Sequence, residues 1–223
     1  MHNQGMADGD RYQDYVIKNG EFIGDFEALY QKFDDPWNQS RADHVQDSRR
    51  QLTLVACNRL RDQYGISRVV ELGCGFGYLT NELRKQDFYT VGTDISPTSI
   101  RKAKEMNPES SFAVASYDDF ELLTTLNADL IIMAELTWYV LESLDDFLIK
   151  LKHYATNREN PTFLIHLLTT YEDGKQLYGR DKFTTLEEVL KYFNLKYLEY
   201  GFIHTVRIDD PVSQGTYFIA KVE

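Results

Sequence analysis

Apolar residues in this chain follow two alternating rhythms, short unbroken runs and stretches at helical spacing. The runs at 68–72 (RVVEL), 90–95 (TVGTDI), 111–116 (SFAVAS), 128–134 (ADLIIMA) and 162–168 (TFLIHLL) predict five strands. The fourth is almost wholly apolar, as a strand covered on both faces should be. Between the runs lie helical patterns. One spans 43–64, with Leu52, Val55, Ala56, Arg59 and Leu60 at roughly helical spacing and Gly65 as its terminator. Another spans 78–86, and a third begins at Pro97 behind a Ser96 cap. Two more cover 144–154 and 184–193, the last opening on the capping-type sequence TTLEE. The chain closes with strands at about 198–208 and 216–222, joined by a polar loop containing Asp209, Asp210, Pro211 and Gly215. Strands alternating with helices predict an α/β fold with a doubly wound parallel sheet, and the last two strands predict a C-terminal antiparallel hairpin.

Ahead of this pattern, residues 1–10 are short and polar and are expected to be disordered. An aromatic-rich stretch from 12 to 37 follows, with Phe22, Phe26, Tyr30 and Phe33 inside it. The division expected is 1–42 as an N-terminal tail and helical lid, and 43–223 as the sheet domain.

Composition narrows the class. The 223 residues are 43% hydrophobic and 26% charged, ordinary for a globular protein. No apolar run approaches the roughly 18 residues of a membrane span, and the first residues resemble no secretory signal. Two cysteines, Cys57 and Cys74, suit a reducing compartment. A cytoplasmic protein without membrane contact is the expectation. The formal charge of −11 argues against nucleic acid as a partner, because such binding draws on lysine and arginine at phosphates.

The chemistry concentrates where the first strand ends. Glu71-Leu72-Gly73-Cys74-Gly75-Phe76-Gly77 follows a strand and opens a helix. Glycine there lets backbone approach a ligand closely, at the carboxyl end of a strand where such sheets bind ligands. A dinucleotide loop spaces its glycines G-x-G-x-x-G around a pyrophosphate. Here they fall at 73, 75 and 77 behind a carboxylate, which suits a cationic amino-acid ligand without phosphates. Asp94 ends the second strand, where a carboxylate accepts hydrogen bonds from the vicinal hydroxyls of a ribose.

At these residues the chain resembles the class I S-adenosylmethionine-dependent methyltransferase family, whose first motif reads E-x-G-x-G-x-G. The resemblance runs from about Val69 to Leu141 and implies a Rossmann-like, seven-stranded sheet with S-adenosylmethionine as cofactor. It implies that Glu71, Gly73, Cys74, Gly75 and Gly77 line the methionine part and that Asp94 holds the ribose. Ile95, Ser116 and Tyr117 would border the adenine.

Other features bear on the acceptor. The fourth strand runs into Glu135-Leu136-Thr137-Trp138-Tyr139. It lacks the N/D-P-P-Y/F turn of amino-methylating DNA enzymes, and neither cysteine follows a proline as in cytosine C5 enzymes. Glu135 and Tyr139 are similar to a stretch of small-molecule methyltransferases. Asp35-Pro36-Trp37, followed by a helix with Arg49 and Arg50, resembles the entry region of the nodulation N-methyltransferase (NodS-like) group, which methylates an amino sugar. That resemblance implies that residues 12–37 form a lid that excludes water, with Trp37 among the cofactor-binding residues, and that an arginine at 49 or 50, taken as Arg50, pairs with the methionine carboxylate. Glu135, Tyr139 and His166 are the candidate catalytic residues, with His204 as a lesser base. No histidine–carboxylate spacing suggests a metal site. A charged, aromatic loop at 171–183 follows the fifth strand, where Tyr178, Arg180 and Lys182 are placed to meet an acidic acceptor. The expected activity is N- or O-methylation of a small polar metabolite, a saccharide or nucleotide-linked sugar among the candidates. The alternatives are a protein methyltransferase and a non-catalytic cofactor-binding partner subunit.

Overall fold

A computed structural model describes residues 11–39, 48–170, 178–207 and 210–223. Within the main sheet the strands are β3 (Arg68–Leu72), β4 (Tyr89–Asp94), β5 (Ser111–Val114), β6 (Leu130–Ala134), β7 (Thr162–Thr170), β8 (Lys196–Arg207) and β9 (Asp210–Val222). They lie in the order β5-β4-β3-β6-β7-β9-β8. Pairing is parallel from β5 through β7 and antiparallel for β7–β9 and β8–β9. This is the doubly wound, seven-stranded sheet with a terminal hairpin that the alternating pattern predicts. The chain moves outward from β3 to β5, then returns to place β6 on the other side of β3. That reversal opens a crevice at the carboxyl ends of β3, β4 and β6.

Both faces of the sheet are covered. Alternate residues of each strand point to opposite sides, so Val70, Ile131 and Leu164 join one core while Val69, Ile132 and Ile165 join the other. The first core lies under α6 (Phe120–Leu126), α7 (Leu144–Thr156) and α8 (Leu186–Phe193), through Leu123, Phe147 and Phe193. The second lies under α3 (Ser48–Tyr64) and α4 (Tyr78–Lys85), through Cys57, Leu60, Leu79 and Leu83. Helix α5 (Pro97–Met106) packs Ile100 and Ala103 against Cys74 and Phe112.

Several local expectations hold for the stated reasons. Ser96 caps α5 by accepting from Ser99 N, with Pro97 at the first position, and Gly65 leaves α3 at φ 71°. Others are corrected. The described part of the first long helix begins at Ser48, and 43–47 lie outside the described residues. Its buried face is Thr53, Leu54, Ala56, Cys57 and Leu60, whereas Val55 is 58% exposed and Arg59 pairs on the surface with Glu199. Helix α6 is not announced by apolar spacing; its Asp119 cap accepts from Leu122 N. The expected polar loop before the last strand is itself strand from Asp210, because β9 pairs with β7 up to Thr170 and with β8 up to Arg207. Ladder hydrogen bonds there override turn-forming composition. Residues 1–10 lie outside the described residues.

The N-terminal region adds a small layer: α1 (Gln13–Val16), the two-residue strands β1 (Ile17–Lys18) and β2 (Glu21–Phe22), and α2 (Phe26–Lys32). Among the described residues, no helix is long and apolar enough to cross a membrane.

The β3–α4 turn is held open by left-handed glycines at 73, 75 and 77, with φ of 68°, 54° and 73°. A side chain on Gly77 would collide with the Phe112 ring. Gly77→Ala is therefore expected to lower stability by about 2–4 kcal/mol, from left-handed backbone strain plus overpacking. Denaturant midpoints measure this, and an unchanged midpoint would contradict the packing described.

Candidate functional site

The site grows from two strand ends tied to each other. Cys74 N donates to Thr93 O (2.8 Å), and Gly75 N donates to Asp94 Oδ2 (3.0 Å). The other carboxylate oxygen of Asp94 accepts from Ser96 N (2.9 Å). Each oxygen keeps a second lone pair, so the group can still receive two hydroxyls. Glu71 sits one layer below, buried, accepting from Thr80 Oγ1. Burial pushes Glu71 up to about 7, although the Thr80 hydrogen bond and the Arg50 charge pull the other way. Burial likewise raises Asp94 to about 6 against its backbone hydrogen bonds from Ser96 and Gly75.

The N-terminal layer docks on α5 by charges at helix ends. Glu27 accepts from Ser96 Oγ (2.5 Å), Thr98 N (3.1 Å) and Thr98 Oγ1 (2.7 Å), at the start of α5. Lys102 Nζ donates to the carbonyls of Tyr30, Phe33 and Asp34, where α2 ends. A carboxylate at one N-terminus and an ammonium at the other helix's C-terminus both complement the helix dipoles. The two contacts lay α2 along α5 and bring its aromatic residues over the glycine loop. Tyr30 packs on Phe76 with ring centroids 5.6 Å apart and accepts from Trp37 Nε1 (3.0 Å). Trp37 and Phe26 both meet Tyr139, at 5.8 and 5.3 Å. Gln39 reaches the loop itself, its Oε1 accepting from Phe76 N (2.9 Å).

Across the crevice stands Glu135, just past β6, in left-handed backbone at φ 59°. A non-glycine residue there is strained and is held by its surroundings. Its Oε2 accepts from Thr169 N (2.7 Å), and its Oε1 accepts from Arg49 Nη1 (3.1 Å). Arg49 also donates to Thr169 Oγ1 (2.5 Å). The Glu135 side chain remains 40% exposed.

The structure thus gathers Glu71, Gly73, Gly75, Gly77, Asp94, Trp37, Glu135 and Tyr139 around one crevice. It separates the two arginines: Arg49 is on Glu135, while Arg50 lies over the Tyr78 ring at 5.5 Å and beside Glu71. Other candidates stand differently. The Cys74 side chain packs beneath the loop with Ile100, Ala103 and Phe112, so only its backbone faces the crevice. Ile95 is 58% exposed, an apolar surface at the end of β4. Ser116 Oγ donates to Asp118 Oδ1, and Tyr117 is turned toward Ser143 and Phe147. His166 is fully buried between Phe193 and Phe218, and its Nε2 meets Thr137 Oγ1 at 2.6 Å. Burial drives His166 down to about 3, so it is neutral at physiological pH and sealed from the crevice. This corrects its expected role: alternation along β7 turns the side chain into the core. His204 is exposed on the edge strand β8. Tyr178 stacks on Phe22 (6.4 Å), Arg180 is exposed, and Lys182 lies over the Tyr192 ring at 5.8 Å. Residues 171–177 lie outside the described residues. Glu27, Lys102, Gln39 and Thr169 complete the site without any motif to announce them; their partners lie from 34 to 72 residues away along the chain. Among the described residues, no group of three His, Cys, Asp or Glu side chains is arranged to hold a metal.

Residues 69–155 match the family model described as a methyltransferase domain. No curated protein matches the chain. Solved structures do. WbdD, described as a bifunctional kinase-methyltransferase, shares 20% identity over 83% of this chain at a TM-score of 0.60. The chain spans 42% of the length of that protein. The N-methyltransferase NodS from Bradyrhizobium japonicum WM9, solved with S-adenosyl-L-homocysteine, shares 18% identity over 84% of this chain and 93% of its own, at a TM-score of 0.56. A S-adenosylmethionine-dependent methyltransferase from Clostridium acetobutylicum shares 15% identity over 86% and 98%, also at 0.56. At these identities the likeness is one of fold.

The residues fit the cofactor that the glycine motif implies. Two buried carboxylates, both raised by burial, flank a loop that carries glycine at three positions, so positive charge is favoured beside them. A ligand carrying a sulfonium and an ammonium supplies that charge. Because both acids are raised, the carboxylate forms are lost as pH falls through about 7 and 6. The unliganded chain, which bears the cost of burying those charges near neutrality, is relieved over the same interval. Calorimetry of S-adenosylhomocysteine binding is expected to show affinity falling below pH 7, by about tenfold per unit once Asp94 protonates. A flat profile from pH 8 to 5 would overturn the assignment. Glu27 behaves oppositely. Burial alone would raise it, but the bonds from Ser96 and Thr98 bring it down to about 2 from 4.5. Its contribution to docking is present above pH 4.5 and lost toward pH 2. Glu27→Gln is expected to raise hydrogen exchange in residues 26–32, and unchanged exchange would remove Glu27 from the docking.

Proposed function

We propose, for a chain whose residues 69–155 match a methyltransferase domain, that the protein methylates an amine on a small polar acceptor with S-adenosylmethionine. The observation that carries this reading is the Glu135 carboxylate, pinned at the crevice mouth by Thr169 N and Arg49 yet open on one side. The cofactor, when bound, supplies an activated methyl group. The chain's own work is then alignment and exclusion of water, which can account for a large share of the rate.

Asp94 would hold the ribose, Gly73, Gly75 and Gly77 would admit the methionine part, and Ile95 would offer its exposed side chain to the adenine. The N-terminal layer acts as a lid: its Phe26 and Trp37 close on Tyr139 of the sheet domain and wall off the crevice with apolar edges and ring faces. Such faces suit a saccharide ring or an alkyl amine. Glu135 accepts a hydrogen bond from the acceptor amine, aims its lone pair, and receives the proton that the nitrogen sheds. A neutral amine needs no stronger base, whereas a hydroxyl does. His166 is not available to serve as that base. The likeness to NodS, an N-methyltransferase, supports an amine as acceptor.

A tritiated-methyl transfer screen over amino sugars, nucleotide-linked amino sugars, small amines and hydroxylated counterparts tests the reading. Transfer to an amine and not to its hydroxyl counterpart is expected. With that acceptor, Glu135→Gln should keep cofactor affinity and lose about 10²-fold in kcat. Full activity in the variant would remove Glu135 from the chemistry, and transfer only to hydroxyls would overturn the amine assignment.

A further inference from the structure

The glycine loop carries a side chain where a ligand is expected to meet backbone. Gln39 Oε1 accepts the Phe76 N–H at 2.9 Å, and a side chain on Gly75 would run into the same carboxamide. Gln39 is not there by chance packing. Asp35 Oδ1 accepts from Gln39 N (2.6 Å), and Asn38 N donates to Asp35 O (3.2 Å). Asn38 adopts φ 52°, a left-handed conformation that asparagine tolerates better than most residues. Trp37, between them, is fixed to Tyr30 and Tyr139. A short, self-capped turn therefore presents a carboxamide oxygen to a loop N–H.

We propose that Gln39 is the chain's own occupant of the cofactor cradle, its carboxamide standing in for the α-carboxylate of the amino-acid part of S-adenosylmethionine. The proposal rests on the reading of this loop as the cofactor site. An amide oxygen and a carboxylate oxygen are the same kind of acceptor for one backbone N–H, and a single N–H in this space serves one of them well. Binding then exchanges the Gln39–Phe76 bond for a charge-assisted bond from Phe76 N to the ligand. The turn at 35–39 gives way at Gln39 while Trp37 and Tyr30 keep the aromatic wall. Loading of the cofactor and release of Gln39 are two sides of one equilibrium, so Gln39 sets cofactor affinity from outside the glycine motif.

Removing the occupant removes a competitor. Titration calorimetry with S-adenosylhomocysteine on the full chain is expected to give about fivefold tighter binding for Gln39→Ala than for wild type, the worth of one neutral hydrogen bond. Gln39→Glu, which puts a charged oxygen in the same place, should weaken binding at least as much as Gln39→Ala strengthens it. Weaker binding in Gln39→Ala would make Gln39 a ligand contact, and unchanged affinity would make it a bystander; either result overturns the proposal. Amide exchange at Phe76, read without ligand, keeps the two readings apart. In wild type the Phe76 N–H should be protected, and in Gln39→Ala it should exchange freely. Loss of protection in the variant, with no S-adenosylhomocysteine bound by either protein, would sink the cofactor reading and leave the carboxamide on the loop as a structural cap only. Protection that persists in Gln39→Ala overturns the proposal whatever the affinities.

Discussion

The hydrogen bond from Gly75 N to Asp94 Oδ2 is the tie on which the rest of the site depends. A loop with three left-handed glycines has a backbone freedom that the packing of Cys74 and Phe76 does not by itself remove. It is held instead by the neighbouring strand end: Thr93 O takes the Cys74 N–H and the Asp94 carboxylate takes the next donor. With the loop fixed, α4 starts at Tyr78, Thr80 reaches back to Glu71, and two buried acids come to lie beside one bare stretch of backbone. The cost of burying those acids is the source of the preference for a cationic ligand.

The same dependence on distant partners governs the N-terminal layer. A seven-residue helix has little independent stability, so α2 is placed by what it can exchange with α5. Glu27 satisfies the start of α5 and Lys102 satisfies the end of α2, and each pairing settles backbone groups that a helix leaves open. From this docking follow the positions of Tyr30, Trp37 and Gln39. The aromatic wall of the crevice and the carboxamide on the glycine loop are thus both consequences of a charge arrangement on the outer surface of the sheet domain.

On the opposite lip, strain and restraint appear together. Glu135 is held in left-handed backbone by bonds to both carboxylate oxygens, and one of its partners, Arg49, comes from a different layer of the fold. This joins α3, β6 and β7 at the point where the acceptor would enter. His166, paired on β7 with Met133 of β6, illustrates the contrast: its Nε2 meets Thr137, its Nδ1 is buried without a hydrogen-bond partner, and its ring stacks on Phe218 inside the core.

Much of the sheet and its glycine cradle is legible in the amino-acid pattern. The apolar runs locate the five parallel strands to within a residue or two; the central β6 and β7, buried on both faces, read as nearly continuous apolar runs, whereas the edge strand β5 is half exposed. Ser96, Pro97 and Gly65 mark helix ends, because capping is decided within about four residues of chain. The spacing of Gly73, Gly75 and Gly77 with Glu71 and Asp94 identifies the cradle, because backbone approach requires glycine and the acids serve the same ligand. The polar run after Asp209 misleads, since pairing with strands far away in sequence outweighs local turn preference. The apolar setting of His166 leaves its role open, since alternation along a strand says that a side chain faces one side without saying which side is the crevice. Glu27, Lys102, Gln39 and the choice between Arg49 and Arg50 are invisible in the pattern, because each acts on groups brought near only when the N-terminal layer docks. The sequence by itself determined the sheet, the glycine loop and its acids, all set by short-range pattern. Only tertiary structure decided what stands over that loop, because docking joins residues whose separation along the chain carries no periodic signal.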